Sequence, residues 1–168
     1  MNFETKDSPS LLNIDMFDNP FEYKMKIFES NEMKSKNIDL VETFNFLIGL
    51  EIDRIEKTRY FDYVENKLKE NISKENSIYS IKEITGKTRE GEKVLIIWRN
   101  RTKDRALDNI AIEEYFRKQR YNTLDMEFDK IYINGDNTLQ NIRKDGEHWK
   151  VELIEEKFKK MMFDEKTL

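Results

Sequence analysis

Apolar and polar positions alternate in several segments of the chain, and this pattern predicts strands. Segment 21–28 alternates apolar and charged residues as a half-buried strand does. The polar stretch after it is predicted to turn the chain and close a hairpin near Ile38. Segment 50–57 is a further predicted strand. Segment 94–98 is apolar throughout, which predicts a strand that is buried on both faces.

Helical signals are clearest in segment 39–49. Asp39 can cap the first turn, Glu42 follows three residues later as in a capping box, and Gly49 ends the apolar run. The charged segment 58–76 has weaker helical spacing and is predicted to be an exposed insertion. Its apolar positions at that spacing are Tyr60, Val64 and Leu68.

The second half of the chain predicts a crossover unit. Segment 77–99 reads as two strands joined by a turn that contains Gly86 and Gly91. A helical stripe follows, formed by Leu107, Ile110, Ala111 and Tyr115. The next predicted strand is 130–133. Strand, helix and strand in this order predict a βαβ crossover with parallel strands over 94–133.

The C-terminal part predicts one more helix. Segment 138–143 is expected to be a short helix or a turn, and segment 149–163 an amphipathic helix. The apolar side of that helix would consist of Trp149, Leu153, Ile154, Phe158 and Met161. The predicted fold is therefore α+β (mixed α/β), a mixed β-sheet with about three main helices. It forms a single domain over 11–168, behind a flexible arm or linker stub at 1–10.

Composition narrows the possible classes of protein. The chain has 168 residues, enough for one domain with a real core, and 38% of them are charged. It has no cysteine and one histidine, which excludes disulfides, thiol catalysis and zinc sites built on cysteine or on several histidines. The net charge of -4 argues against a strong free-standing nucleic-acid binder but leaves room for a local basic patch. No signal peptide or membrane-spanning run is visible, so we expect a cytoplasmic protein with no membrane partner.

Nucleotide-binding signatures are missing as well. The five glycines are isolated, so neither a dinucleotide loop nor a P-loop is present. No serine lies in a nucleophile elbow. We therefore predict no catalytic residue, no cofactor-binding residue and no metal site in this chain.

Two polar loops are predicted to meet at one edge of the sheet. Parallel strands end at a common edge, where open α/β sheets bind their ligands. The loop after the first strand contains Arg99, Arg101, Lys103 and Arg105, and the turn after the second contains Asn134 and Asn137. These six residues are the predicted nucleic-acid-binding site, because such side chains contact phosphates. The alternative is purely structural, since Asn, Gly and Asp are ordinary turn residues and Asp136 or Asn137 can cap the short segment after the turn.

Two Glu-x-Lys triplets suggest a second possible chemistry. They are 22–24, with Asp15 and Asp18 upstream, and 65–67. Convergent carboxylates beside a lysine would fit a small metal-dependent nuclease. The apolar alternation of 21–28 explains the first triplet without a metal. His148, beside Trp149, is expected to begin a helix and not to act as a catalyst.

Three stretches together resemble a known family. They are "LLNIDMFDNPFEYKMKI", "DLVETFNFLIGLEIDRI" and the block that runs from "GEKVLIIWR" through "FDKIYINGDNTLQNIRKDGEHWK" to "VELIEEKFKKMMF". In order and spacing they are similar to the C-terminal, non-catalytic region of adenine-specific DNA methyltransferases of the type III restriction-modification (Mod subunit) kind. The resemblance covers most of the chain from about Leu11, and segment 58–76 departs from it.

The resemblance implies a module and not a complete enzyme. Methyl transfer in the family uses an Asp-Pro-Pro-Tyr motif and a glycine-rich loop for S-adenosylmethionine, whereas the only prolines here are Pro9 and Pro20. No catalytic residue is carried over, no cofactor is expected in this chain, and alone it is expected not to methylate DNA. We expect an excised domain or a split-gene product whose partners are DNA, the catalytic domain and a restriction subunit. A purely protein-interacting domain is the third alternative.

Overall fold

The computed structural model describes residues 14–22, 24–29, 32–37, 39–145 and 148–163. The arm predicted at 1–10 lies outside the described residues. Among them the chain begins with a short 3-10 helix, Ile14–Phe17. Strands β1 (Lys24–Glu29) and β2 (Glu32–Asn37) then form a separate antiparallel hairpin. A hairpin forms as predicted, but its second strand lies entirely within the stretch 29–37 predicted to be the turn, and Ile38 lies outside the described residues.

Helix α1 (Leu40–Leu47) is capped as its sequence predicts. The Asp39 carboxylate accepts a 3.0 Å hydrogen bond from the backbone N–H of Glu42. Gly49 follows with φ of +62°, a left-handed conformation that glycine adopts without strain. Strand β3 (Glu51–Ile55) comes next, where a strand is predicted.

The helical spacing in segment 58–76 does not produce an α-helix, so the prediction of a helical insertion there is wrong. The segment forms β4 (Arg59–Val64) and β5 (Lys67–Asn71), an antiparallel hairpin within the main sheet, followed by a short 3-10 helix, Lys74–Asn76. Phe61 and Leu68 belong to the core, so the segment is not simply an exposed excursion. Its turn, Glu65 and Asn66, has positive φ at both residues but lacks the glycine that usually marks such a turn.

The predicted crossover is confirmed. Strands β6 (Tyr79–Lys87) and β7 (Lys93–Arg99) are antiparallel, helix α2 (Arg105–Gln119) follows, and β8 (Lys130–Ile133) lies parallel to β7. Gly91 lies in the turn between β6 and β7 as predicted, but Gly86 lies within β6. In the predicted helical stripe Ile110 is 48% exposed, and Ile112 and Phe116 are buried instead.

The C-terminal helix is shorter than predicted. Strands β9 (Arg143–Asp145) and β10 (His148–Trp149) form a small antiparallel pair, so His148 does not begin a helix. Strand β11 (Val151–Leu153) pairs in parallel with β8, and only then does helix α3 (Ile154–Phe163) begin. No helix forms over 138–143. Residues 151–153 therefore form a strand that pairs with β8, although the apolar spacing of the predicted segment is helical.

The main sheet has seven strands in the order β11-β8-β7-β6-β4-β5, and β3 also pairs with β6. Helix α2 packs on one face, where Leu95 and Ile97 of β7 are buried. Helices α1 and α3 and the 3-10 helix 14–17 pack on the other, against Val94, Ile96 and Trp98. Each strand residue 94–98 is fully buried, as its unbroken apolar run predicts. The fold is therefore α+β, as predicted. In the part of the chain that the structure describes, no helix is long and apolar enough to cross a membrane.

Candidate functional site at the carboxyl edge of the parallel strands

The two polar loops lie side by side, as the crossover predicts. The parallel register pairs Ile97 of β7 with Ile133 of β8, so both strands end at the same edge of the sheet. Arg99 then ends β7 and Asn134 follows β8, within hydrogen-bonding distance of each other. This carboxyl edge is the position at which open α/β sheets bind ligands.

Asn134 is fully buried, and its side chain forms three internal hydrogen bonds. Its Nδ2 donates to the carbonyls of Phe17 and Arg99, both at 2.7 Å, and its Oδ1 accepts from the backbone N–H of Arg99 at 2.9 Å. The side-chain amide has the donor and acceptor of a peptide group, so it extends the ladder between β7 and β8 by one position. It also attaches the 3-10 helix 14–17 to the sheet. No polar atom of Asn134 remains for a ligand.

Arg99 is 2% exposed, and its guanidinium binds backbone carbonyls. Its Nε donates to the carbonyl of Asn134 at 2.9 Å, and its Nη2 to those of Gly135 and Asp136 at 3.1 and 3.2 Å. Its Nη1 donates to the carbonyl of Asp108 in α2 at 3.3 Å. Burial, with the charge of Arg101 nearby, lowers the pKa of Arg99 to about 10. The buried cation therefore holds the Asn-Gly turn against the first turns of α2.

Arg101 lies over the same turn, with its side chain only 7% exposed. Gly135 makes this approach possible, since a Cβ atom there would lie 2.3 Å from Cδ of Arg101. The backbone N–H of Arg101 donates to the Asp18 carbonyl at 2.6 Å. The Asp18 carboxylate lies 3.9 Å from Arg101 and 3.1 Å from Arg105. The basic loop is thus attached to the segment that follows the first 3-10 helix.

Two carboxylates complete the edge, one half-buried (Glu155) and one fully buried (Asp108). Glu155, in the first turn of α3, accepts the Gly135 N–H with both carboxylate oxygens at 3.0 Å. Burial raises the pKa of Glu155 above its ordinary value, against the opposing effect of these hydrogen bonds and of Arg101. Asp108 accepts the hydroxyls of Tyr79 and Thr102, each at 2.6 Å.

The remaining predicted site residues lie nearer the surface. Lys103 is exposed, and the side chain of Arg105 is 48% exposed. Asn137 is half-buried, and its side chain bonds within the turn, to the Gly135 carbonyl and the Leu139 N–H. Of the six predicted residues, therefore, only Lys103 and Arg105 present much of a charged side chain to solvent.

The charge at this edge is nearly balanced. Arg99, Arg101, Lys103 and Arg105 supply four cations. The carboxylates around them belong to Asp18, Asp104, Asp108, Asp136 and Glu155. Because the carboxylates outnumber the cations, the edge is a weak attractor for a phosphate backbone.

The two Glu-x-Lys triplets lie in different settings. Glu22 forms an ion pair with Lys74, and the Asp18 carboxylate forms ion pairs with Arg101 and Arg105. Glu65 lies in the turn of the β4–β5 hairpin. Within the described residues, no group of three or more His, Cys, Asp or Glu side chains is placed to hold a metal ion.

Besides Asp108, a second buried carboxylate lies under α2, and the sequence patterns did not indicate it. Glu83 of β6 is 2% exposed and accepts hydroxyl hydrogen bonds from Tyr115 and Tyr121. Arg54 lies 3.5 Å from it. Burial, together with this carboxylate, raises the pKa of both tyrosines. The alternation of β6 hides this position, because a glutamate in a strand is ordinarily counted as a solvent-facing residue.

A groove of about 1230 Å³ lies on the far side of β6 from β7, between helix α1 and strand β3. We call it the α1–β3 groove. Its apolar lining includes Phe46, Ile52 and Ile55, which are 78%, 46% and 50% exposed. Its polar lining includes Glu22, Asp39, Glu42 and Lys82. The sequence shows these apolar residues. It does not show that β3 pairs with β6, and this pairing brings them to one side of the sheet.

No family model, no curated protein and no solved structure matches this chain. The resemblance to type III methyltransferases therefore remains a prediction. The carboxyl edge and the α1–β3 groove are two candidate functional surfaces within the part of the chain that the structure describes.

Proposed function

We propose that this chain is a non-catalytic C-terminal module of an adenine-specific DNA methyltransferase of the type III restriction-modification kind, and that it serves assembly of the enzyme more than DNA contact. The family assignment rests on the three sequence stretches that resemble the Mod subunit. Catalytic residues and S-adenosylmethionine would then belong to the catalytic domain, in the cytoplasm. Its partners would be that domain, a restriction subunit and, secondarily, DNA.

One observation favours assembly over DNA engagement: the polar residues of the carboxyl edge bond to the fold itself. Arg99 and Asn134 are buried with their hydrogen-bonding groups used internally. A phosphate contact requires cations that a duplex can reach, and each one contributes to the salt dependence of binding. Among the residues that the structure describes at this edge, only Lys103 and Arg105 meet that requirement, and Arg105 is already paired with Asp18.

The α1–β3 groove supports the same proposal, because it is a surface suited to another polypeptide. Exposed large apolar side chains collected in one concave surface are typical of protein interaction sites. The carboxylates at its rim would repel a phosphate backbone. The chain thus offers a better surface to a polypeptide than to a nucleic acid.

The test is a salt titration of duplex DNA binding, run beside complex formation with the cognate catalytic domain. We expect weak DNA binding by the chain alone, with a salt slope of about two phosphate contacts or fewer. We expect a stable complex with the catalytic domain on size-exclusion chromatography. The variant Lys103→Ala/Arg105→Ala should reduce the residual DNA binding, and Lys67→Ala/Lys69→Ala, in strand β5, should not.

Tight, strongly salt-dependent binding of duplex DNA by the chain alone would contradict the assembly role. If the double variant at 103 and 105 abolished that binding, DNA engagement would become the primary function. Absence of any complex with the cognate catalytic domain would contradict the proposal as a whole.

A further inference from the structure

The α1–β3 groove lies beside an open strand edge. Strand β3 pairs with β6 on one side, and all five of its residues are exposed. Among the described residues no strand pairs with its other side. Such an edge presents unpaired backbone N–H and C=O groups, which can pair with another chain.

The outer edge of the sheet is uneven here, because β4 has a neighbouring strand on its outer side and β3, among the described residues, has none. Strands β3 and β4 follow one another along the same side of β6, since β4 pairs with Arg59↔Ile81 through Phe61↔Tyr79 and β3 with residues 84–87. Strand β5 covers the outer edge of β4 only, over Tyr60–Val64. One further strand beside β3 would continue the row that β5 begins.

The side chains of β3 divide between the two faces of the sheet, and an added strand would place its own side chains on the same two faces. Ile52 and Ile55 pair with Gly86 and Ile84, and Ile84 belongs to the core under α1. Both isoleucines therefore face the groove, where Phe46 of α1 forms part of the opposite wall. Glu51, adjacent to Ile52, points to the other face, because successive strand residues alternate.

The charge of this region favours a basic partner. Asp39 and Glu42 line the groove from the start of α1, and Glu22 lines it from the preceding segment. Glu51 and Asp53 are exposed on β3 itself, and Arg54, the one cation of that strand, is paired with Glu56. Lys82 is the only cation among the residues that line the groove in the described part of the chain. Complementary charge suppresses wrong partners and fixes register at an interface.

We propose that the α1–β3 groove binds an extended basic and apolar segment of a partner polypeptide, which adds to the outer edge of β3 as a further strand. Alternate apolar side chains of that segment would pack on Phe46, Ile52 and Ile55. Its lysines or arginines would lie beside Glu51 and the acidic rim. Strand addition of this kind derives affinity from backbone hydrogen bonds and specificity from alternate side chains. The inference rests on the proposed assembly function and specifies its contact.

The test uses a labelled synthetic peptide of about eight residues that alternates lysine with valine, a usual strand length. A peptide with glutamate in place of lysine is the control. Binding to the full chain is measured by fluorescence anisotropy, and hydrogen exchange of the β3 amides is measured with and without peptide. We expect the basic peptide to bind and to protect 51–55, and the acidic one not to bind.

Variants of the chain then locate the contact. Phe46→Ser/Ile52→Ser should weaken peptide binding by about tenfold or more, because both side chains are exposed anchors. Leu124→Ser removes a side chain that is 45% exposed elsewhere, and binding should not change. Equal binding by both variants, equal binding of both peptides, no binding of either peptide, or no protection of β3 would each overturn the inference.

Complex formation with the cognate catalytic domain separates this inference from the proposed function. If the wild-type chain and the groove variant form that complex equally well, docking in the groove is wrong and the assembly role stands. If no complex forms while the basic peptide still protects β3, the groove binds a strand and the methyltransferase assignment is wrong.

Discussion

At the carboxyl edge of the parallel strands, polar and charged side chains are buried, whereas in the α1–β3 groove apolar side chains are exposed. Asn134 is 0% exposed and Arg99 2%, while Phe46 is 78% exposed. Each arrangement is the reverse of the usual distribution of residue types. Buried polar groups are costly without hydrogen-bond partners, and at the edge Asn134 and Arg99 find partners in several separate segments, whereas Nε of Arg101 has none among the described residues.

The contrast separates a structural site from a binding surface. At the edge, every bond that the buried polar groups form ties one part of the chain to another: β7 to β8, the turn to α2, and the 3-10 helix 14–17 to the sheet. In the groove, exposed apolar area contributes little to the stability of the isolated chain. A position expected to bind a ligand can therefore be a fold determinant, and the better surface can lie away from it.

At the carboxyl edge the largest effect should come from Asn134→Ala. Removing the amide leaves the Arg99 N–H, the Arg99 carbonyl and the Phe17 carbonyl without their partner in a buried site. We expect the free energy of unfolding to fall by about 3 kcal/mol, since an unsatisfied buried polar group costs about 1–3 kcal/mol. Urea denaturation followed by circular dichroism measures it.

Two further variants at this turn make that prediction specific. Asn134→Asp should be at least as destabilising, because a carboxylate oxygen would face two carbonyls. Asn137→Ala, which removes two 3.2 Å bonds from a half-buried side chain, should cost about 1 kcal/mol or less. Similar small losses at 134 and 137 would mean that the carboxyl edge is not a structural site.

An intermediate effect, dependent on pH, should come from Glu155→Gln. Burial raises the pKa of Glu155 above its ordinary 4.5, so the folded protein binds this proton more tightly than the unfolded chain does. The resulting stabilisation is fully present below the unfolded pKa and is lost as pH rises through the folded pKa. Each pKa unit corresponds to about 1.4 kcal/mol.

The free energy of unfolding of the wild type, relative to Glu155→Gln, should therefore be highest at acid pH and decline towards neutral pH. Chemical denaturation across that range measures the difference. Glu156→Gln, at the exposed neighbouring position, controls for loss of one negative charge. A wild-type advantage that grows with pH would show that hydrogen bonds to Gly135 outweigh burial.

The crossover could be predicted from the sequence because its signals are local. An unbroken apolar run at 94–98 and a helical stripe are each visible within a few residues. The β4–β5 hairpin was missed because its turn lacks glycine and its outward positions are lysine and glutamate. Strand β11 was missed because three residues that pair with β8 continue directly into the apolar spacing of α3.

The meeting of the two loops could also be predicted, but their burial could not. Arg99 and Asn134 are buried because they bond to each other and because the carbonyls of Phe17 and Asp108 reach them from distant segments. Residue type alone places an arginine at the surface. The α1–β3 groove depends likewise on which strands are neighbours of β6, a property of the whole sheet that no short segment encodes.

The smallest effect should come from Phe46→Ser in the isolated chain. Phe46 is 78% exposed, so its ring is in water in both the folded and unfolded states. We expect the free energy of unfolding to change by about 0.5 kcal/mol or less, as for most surface substitutions. Phe44→Ala, two residues earlier on α1, is the matched reference. Its ring is fully buried between Trp98 and Tyr132, and its loss should cost about 3–5 kcal/mol.

Comparing the two variants shows how much the Phe46 ring contributes to the stability of the fold. If urea denaturation shows that Phe46→Ser is nearly neutral, a phenylalanine is present at a position where stability does not require it. Binding in the groove then supplies the physical reason for an exposed ring. A loss of stability close to that of Phe44→Ala would place Phe46 in the core of the fold and would remove the contrast between the groove and the carboxyl edge.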